Sequence, residues 1–204
     1  MKNLFIISLL ILLTQTSYAG VHLEPYLGYA VSAGTEQTSN GTKIESSMNY
    51  IEFGGRAGWE MMGLSIGMDG NFTPTTFDID TEKPTKSKGT VDYKSHNLGA
   101  FVGFELPLFR VWGSYYFASQ ISYDKDRDTS VSDSTGDELN GSGYGVGVGF
   151  TGLPMLAINL EYRANSYDEY KDKSSGVTTK YPAGGASAID ANSILLSVSV
   201  PFHF

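Results

Sequence analysis

Eight ionisable residues interrupt segments that are otherwise uncharged and half apolar: Glu52, Arg56, Glu60, Asp69, Glu105, Arg110, Glu161 and Arg163. Carboxylates beside guanidiniums make charge-assisted, often bidentate hydrogen bonds. Gathered away from bulk water, these residues would either fill a space with mutually satisfied polar groups or line a narrow ion path. Glu105 and Arg110 bracket the short stretch Leu106-Pro107-Leu108 and should face each other across it. Arg56 lies near the middle of its segment and needs an acid, with Glu52, Asp69 and Glu161 as the candidates.

Other chemistry is thin. Asp124-Lys125-Asp126-Arg127-Asp128 begins like a calcium loop, but Thr129 stands where the pattern needs Gly and Thr135 where it needs the bidentate Glu. With Lys125 and Arg127 interleaved it reads as a solvated acidic loop, suited at most to loose divalent bridging of lipid phosphates. The histidines are His22, His96 and His203, and no Cys is present. His96 follows Ser95, but adjacent strand residues point to opposite faces, so the two cannot act as base and nucleophile. Gly143, Gly145, Gly147 and Gly149 repeat at a spacing of two, which no dinucleotide loop has; they leave space for larger neighbours such as Phe101, Trp112 or Tyr116. No enzyme activity, cofactor or metal is expected.

Period-2 alternation runs through eight segments. About 21–31 places Val21, Leu23, Leu27, Tyr29 and Val31 on one face. About 49–61 sets Ile51, Phe53, Ala57 and Trp59 against Glu52, Arg56 and Glu60. Residues 64–72 set Leu64, Ile66, Met68 and Phe72 against Asp69 and Asn71. About 95–105 sets Leu98, Ala100, Val102 and Phe104 against Asn97, Gly103 and Glu105, with Phe101 an exception on the polar face. Residues 109–118 oppose Phe109, Val111, Tyr115 and Phe117 to Arg110, Trp112, Ser114 and Tyr116. Residues 143–150 alternate Tyr144, Val146, Val148 and Phe150 with glycine. Residues 155–165 set Leu156, Ile158, Leu160 and Tyr162 against Asn159, Glu161 and Arg163. Residues 193–204 set Ile194, Leu196, Val198, Val200, Phe202 and Phe204 against Ser193, Ser197, Ser199 and His203.

The connections alternate too. Met61–Gly63, Leu106–Leu108 and Gly152–Pro154 are short, whereas about 32–48, 73–94, 119–142 and 166–192 are long and rich in Ser, Thr, Gly and Asp. Short turns on one rim and long loops on the other suit an up-and-down barrel crossing a membrane. Charge placement decides between membrane and water. Beyond Lys2, the lysines all fall in the long connections or at their edges, and only Arg56, Arg110 and Arg163 lie inside strands. A face of Gly, Ser and Asn with few charges cannot coat a soluble barrel, but it can pack the inside of a small one. Turned to lipid near the midplane, Arg56 would cost about 2–4 kcal/mol. Closure satisfies every ladder hydrogen bond, which an open sheet in hydrocarbon could not do. Outward aromatics fall in two girdles: Trp59, Phe104, Phe109, Phe150 and Phe202 by the short turns, and Tyr29, Phe72, Phe117, Tyr144 and Tyr162 toward the long ones. The reading is all-β: a closed, eight-stranded, antiparallel up-and-down transmembrane β-barrel over residues 20–204.

Residues 1–19 read as a signal peptide, with Lys2 before the apolar run Leu4–Leu13 and Ser17-Tyr18-Ala19 as the cleavage site. Without Cys, lipidation at a mature N-terminal Cys is excluded. Acids exceed bases, 22 to 14, which with no basic patch argues against a nucleic-acid partner. The terminal run Ile194–Phe204 is apolar at every second position and ends in Phe. It resembles the terminal signature of bacterial outer-membrane barrels, and the whole plan is similar to the small OmpX-type barrels and the transmembrane domain of OmpA. That resemblance implies an outer-membrane location, periplasmic termini, contact with outer-membrane lipid and lipopolysaccharide, and recognition of Val200, Phe202 and Phe204 by the barrel-assembly machinery. Pro25 and Pro201 fall in the first and last strands, where each removes a donor, so a bulged or frayed seam is expected. The charged lumen and acidic loops fit a structural or surface-interaction role, in adhesion or shielding through an extracellular partner. A narrow channel or small-solute route in the manner of OmpW-like barrels is the alternative, and a lipid A-modifying enzyme a weaker one. N-terminal sequencing of the protein recovered from outer membranes should begin at Gly20; retention of residues 1–19 would show a membrane anchor instead.

Overall fold

The computed structural model describes residues 19–39, 42–81, 87–126, 136–181 and 188–204. The expected signal peptide, up to residue 18, and the calcium-like pattern beyond Asp126 lie outside them. The described chain is all strand: β1 (Gly20–Ser39), β2 (Thr42–Met48), β3 (Ile51–Met61), β4 (Leu64–Thr81), β5 (Ser87–Glu105), β6 (Phe109–Asp126), β7 (Glu138–Leu153), β8 (Leu156–Lys171), β9 (Thr178–Lys180), β10 (Ile189–Ser199) and β11 (Phe202–His203). Eight of these form a closed antiparallel ring, β1-β3-β4-β5-β6-β7-β8-β10, with β10 returning to β1. Three short strands extend it: β2 pairs with the far end of β1, β9 with the far end of β8, and β11 with the start of β1.

Turn chemistry sets one rim. Met62 and Gly63 both adopt left-handed backbone (φ 56° and 78°) between the paired Met61 and Leu64. Two such residues are the mark of a type I′ hairpin, whose twist matches that of its strands. Pro154 and Met155 (φ 62°) link the paired Leu153 and Leu156; Pro presets the first turn position and the second is left-handed. The start of β1 and the end of the closing strand meet at this rim, since Gly20 lies opposite Glu60 and Val21 exchanges backbone hydrogen bonds of 2.9 and 3.0 Å with Phe204.

On the other rim the strands outrun the sequence reading. Thr73–Thr81 pairs in register with Ser87–Ser95, and Ala33–Ser39 with Thr42–Met48. Much of what reads as loop is therefore a continuation of the ladder. The apolar alternation ends earlier because it follows the hydrocarbon, whereas backbone pairing carries on past it.

The seam differs from expectation as well. Leu23↔Phe202 and Tyr26↔Ser199 share one register, so pairing passes both prolines without slipping. Pro25 forfeits its own donor but still accepts from the Val200 N–H at 3.1 Å. In antiparallel pairing successive residues face alternate neighbours, which turns the nitrogen of Pro201 away from β1, past the end of β8. The irregularity in this ladder lies higher, between Ala30 and Ser32.

The fold is inside out. Leu27, Phe53, Trp59, Ile66, Val102, Tyr115, Val146, Leu160 and Leu196 are exposed, as are all the residues of both aromatic girdles. Arg, Glu, Asp and Asn side chains are buried. Glycine makes the narrow interior possible. A Cβ on Gly147 would overlap the Trp112 indole, and one on Gly54 the Tyr26 ring. In vesicles, Val146→Arg should lower the free energy of reversible urea unfolding by about 2–4 kcal/mol, because the new charge faces hydrocarbon near mid-strand; no loss would mean that this face meets water.

Candidate functional site: the lumen network

The inward positions of six ring strands deliver a column of charge to the barrel axis. In the middle, Arg56 (β3) donates from Nη2 to Glu161 Oε2 at 2.7 Å and from Nε to Asp69 Oδ2 at 3.3 Å, and its Nη1 lies 3.5 Å from Glu24 Oε2. Its guanidinium is held between aromatic faces, 4.2 Å from the Trp112 ring centroid and 5.0 Å from that of Tyr26. Such stacking adds attraction where water is excluded. Toward the long-strand rim, Arg163 (β8) bridges Glu52 (2.7 Å) and Glu161 (2.8 Å) and lies over Tyr116. Toward the short-turn rim, Arg110 (β6) bonds Glu24 and Asn159, with Glu105 at 3.6 Å across the turn.

Neutral donors complete the acids' shells. Asp69 accepts from Ser114 (2.8 Å), Tyr116 (3.0 Å) and Tyr26 (3.3 Å). Glu161 accepts from the Trp112 indole, and the single Tyr116 proton lies between Asp69 and Glu161. Asn159 donates to Ser197 and Ser199 on β10, tying the column to the closing strand. Above the Arg163–Glu52 pair, Asn97 donates to Asn71 at 2.7 Å. There the lumen widens into a cavity of about 150 Å³, lined among others by Tyr50, Glu52, Asn97, Asn165 and Tyr167.

Most of the residues named from sequence are thus in one place. Glu52, Arg56, Asp69, Arg110, Glu161 and Arg163 are buried together, and Glu105 meets Arg110 in register as expected. Of the three acids open to Arg56, Asp69 and Glu161 bond it, and Arg163 engages Glu52. One expectation changes. Glu60 stands apart at the short-turn mouth, 2.9 Å from His203 Nδ1. Glu24 is the important residue that the sequence reading lacked, since it touches both Arg56 and Arg110. The signal was present, because placing Val21, Leu23 and Leu27 outward turns His22, Glu24 and Tyr26 inward.

The sequence matches the outer membrane protein beta-barrel domain over residues 5–202. The chain belongs to that family. Its place is therefore the bacterial outer membrane. A search of curated proteins gives no significant match. Among solved structures, OprG from Pseudomonas aeruginosa is similar at a TM-score of 0.54 and 10% identity, covering 93% of this chain and 99% of that one. Ail, the attachment invasion locus protein of Yersinia pestis, in complex with the heparin analogue sucrose octasulfate, is similar at 0.51 and 14%, covering 90% and 99%. The Escherichia coli outer membrane protease OmpT reaches only 0.44 at 12% identity, with 94% and 100% covered. At these identities the likeness speaks for the small-barrel fold and for nothing finer.

In this family member the three guanidiniums face more carboxylates than they can neutralise, so removing one strands buried acids. Arg163→Met should cost about 3–5 kcal/mol of stability, as breaking a buried pair does. Adding Glu52→Gln should recover a large part of it. Urea midpoints of the single and double variants in vesicles measure both; an unaffected single variant would mean that the lumen is hydrated.

Proposed function

We propose that this barrel is a closed structural stake whose long-strand rim works as an interaction surface at the cell exterior. One observation carries the reading. Arg56, Glu161, Arg163 and Glu52 run as an unbroken chain across the lumen, with Trp112 and Tyr116 packed against it. An eight-stranded barrel has an interior about as wide as its side chains, and here those side chains are large and mutually bonded. A route for solute would have to break several charge-assisted bonds at once.

The export signal at residues 1–19 and the termini at the short-turn rim support an orientation with that rim in the periplasm and the extended strands outside. Together the four long connections carry more acid than base, most of the excess lying in the third, while the second is balanced. Such a surface suits adhesion or shielding and disfavours a polyanion like the heparin analogue bound by Ail. The exposed, stacked Phe202 and Phe204 beside Val200, at the end of the closing seam, support recognition by the barrel-assembly machinery. Lipid and lipopolysaccharide are the expected neighbours of the outer face, and His96, exposed opposite Phe72, sits well for a headgroup contact. We read the chain as non-enzymatic, since Ser95 lines the inner cavity while His96 points outward.

The second reading is a narrow ion path, favoured by the cavity that descends to Glu52. Planar-bilayer recording of purified protein separates the two. A closed stake gives no steady single-channel current, either as the wild type or as Lys171→Ala on the exposed rim. Defined conductance steps that change size in Arg56→Ala would establish the channel.

A further inference from the structure

The short-turn mouth holds a second cluster, joined to the lumen network through the contact of His22 with Glu24. His22 (β1), Glu60 (β3) and His203 (β11) each turn one ligand atom to the same point, and the three atoms lie within 4.8 Å of one another. Register puts them there. His22 pairs with His203 on one side and with Gly58 on the other, and Glu60 follows two residues after Gly58 on the same face. Glu60 Oε2 is 2.9 Å from His203 Nδ1 and 3.6 Å from His22 Nδ1. The two imidazole centroids are 5.2 Å apart.

The buried, unpartnered Nδ1 of His22 is what points to a ligand. The other nitrogen of His22, Nε2, lies 3.4 Å from Glu24 Oε2. A carboxylate only accepts, so Nε2 carries a proton, and Nδ1, which faces a second carboxylate, must either carry one as well or meet a cation. That Nδ1 is fully buried and makes no hydrogen bond; it faces Glu60 Oε2 at 3.6 Å, the same oxygen that His203 Nδ1 approaches at 2.9 Å. Three ligand atoms gathered on one point, one of them buried and without a hydrogen bond, suit a cation held between them. Moreover, a histidine whose far nitrogen donates to a carboxylate is the usual arrangement behind a bound metal, because it fixes the tautomer and raises the basicity of the ligating nitrogen. The mouth is also rich in acid, with Glu24, Glu60 and Glu105 close to one another and Arg110 the guanidinium among them.

We infer that His22, Glu60 and His203 form a divalent transition-metal site that clips the last strand to the first. Two imidazoles and one carboxylate suit Zn²⁺, whereas Ca²⁺ and Mg²⁺ prefer all-oxygen shells. Ligand atoms about 2.1 Å from a tetrahedral zinc stand roughly 3.4 Å apart, and the two separations to Glu60 bracket that value. Water completes the shell on the open side. Binding displaces the proton shared by His203 and Glu60, so affinity rises with pH across the histidine range. The clip falls where the ladder is weakest, beside the donor that Pro25 lacks and the Val200–Pro201 interruption of the closing strand.

The test uses untagged, full-length processed protein refolded in detergent, titrated with Zn²⁺ by calorimetry. Cu²⁺ is avoided because a free Gly20-Val21-His22 terminus would chelate it through backbone nitrogens. One saturable Zn²⁺ per barrel is expected, not competed by millimolar Ca²⁺. His203→Ala, a change at an exposed position, should weaken it by about 100-fold or more, and Glu24→Gln by about 10- to 100-fold. His96→Ala should leave it unchanged. Zn²⁺ should raise the unfolding temperature of the wild type and not that of His203→Ala. Should a variant fail to assemble, the wild type alone decides: Zn²⁺ must slow diethylpyrocarbonate modification of His203 and not of His96. Equal Zn²⁺ affinity in wild type and His203→Ala, displacement by Ca²⁺, or absence of protection at His203 would each overturn the site.

Discussion

A peptide group facing hydrocarbon has no water to bond, so a strand that crosses a membrane must find all its hydrogen-bond partners in neighbouring strands. For this chain that requirement generates nearly everything else. It forces the sheet to close, with β10 pairing both β8 and β1. Closure gives each strand one face toward lipid and one toward the axis. The axis is so narrow that polar groups placed there must be satisfied by one another. The ion-pair column of Arg56, Arg110 and Arg163 is the consequence of putting charges where neither lipid nor bulk water is available.

The column in turn determines where glycine must stand. Trp112 can lie over the neighbouring strand only because its cross-strand partner is Gly147, and Tyr26 lies over its partner Gly54 for the same reason. Large aromatics on some strands and bare backbone on others let the guanidiniums be sandwiched as well as paired. Packing and electrostatics are one problem here: enlarging a glycine pushes an aromatic ring, and the ring carries a cation with it. A barrel filled in this way leaves its inner side chains little freedom, in keeping with the closed stake proposed for it.

The barrel was legible in the sequence because its determinants are local. Alternation at a spacing of two gives strands, and Arg at mid-strand gives the direction of the faces. Glycine at 143, 145, 147 and 149 gives the space for Trp112 and Tyr116. What was not legible depends on register. Alternation tells which way Glu52 points but not which guanidinium it meets, since shifting β8 by two residues would exchange Arg163 for Glu161 beside it. The same ignorance hid the His22, Glu60 and His203 cluster, whose members are far apart in sequence and share a point only through the pairings of β1 with β3 and β11. The outer extents of β4 and β5 escaped because pairing beyond the hydrocarbon leaves no apolar pattern to read.

The inside-out arrangement is the central claim, and the two tryptophans test it directly. Trp59 is 55% exposed and Trp112 only 5%. Single-tryptophan proteins, Trp112→Phe and Trp59→Phe, would be folded into vesicles of lipids brominated along their acyl chains. The account predicts strong quenching of Trp59 fluorescence by the bromines and little or none of Trp112. Quenching of Trp112 with Trp59 untouched would place the charged face against lipid and contradict it.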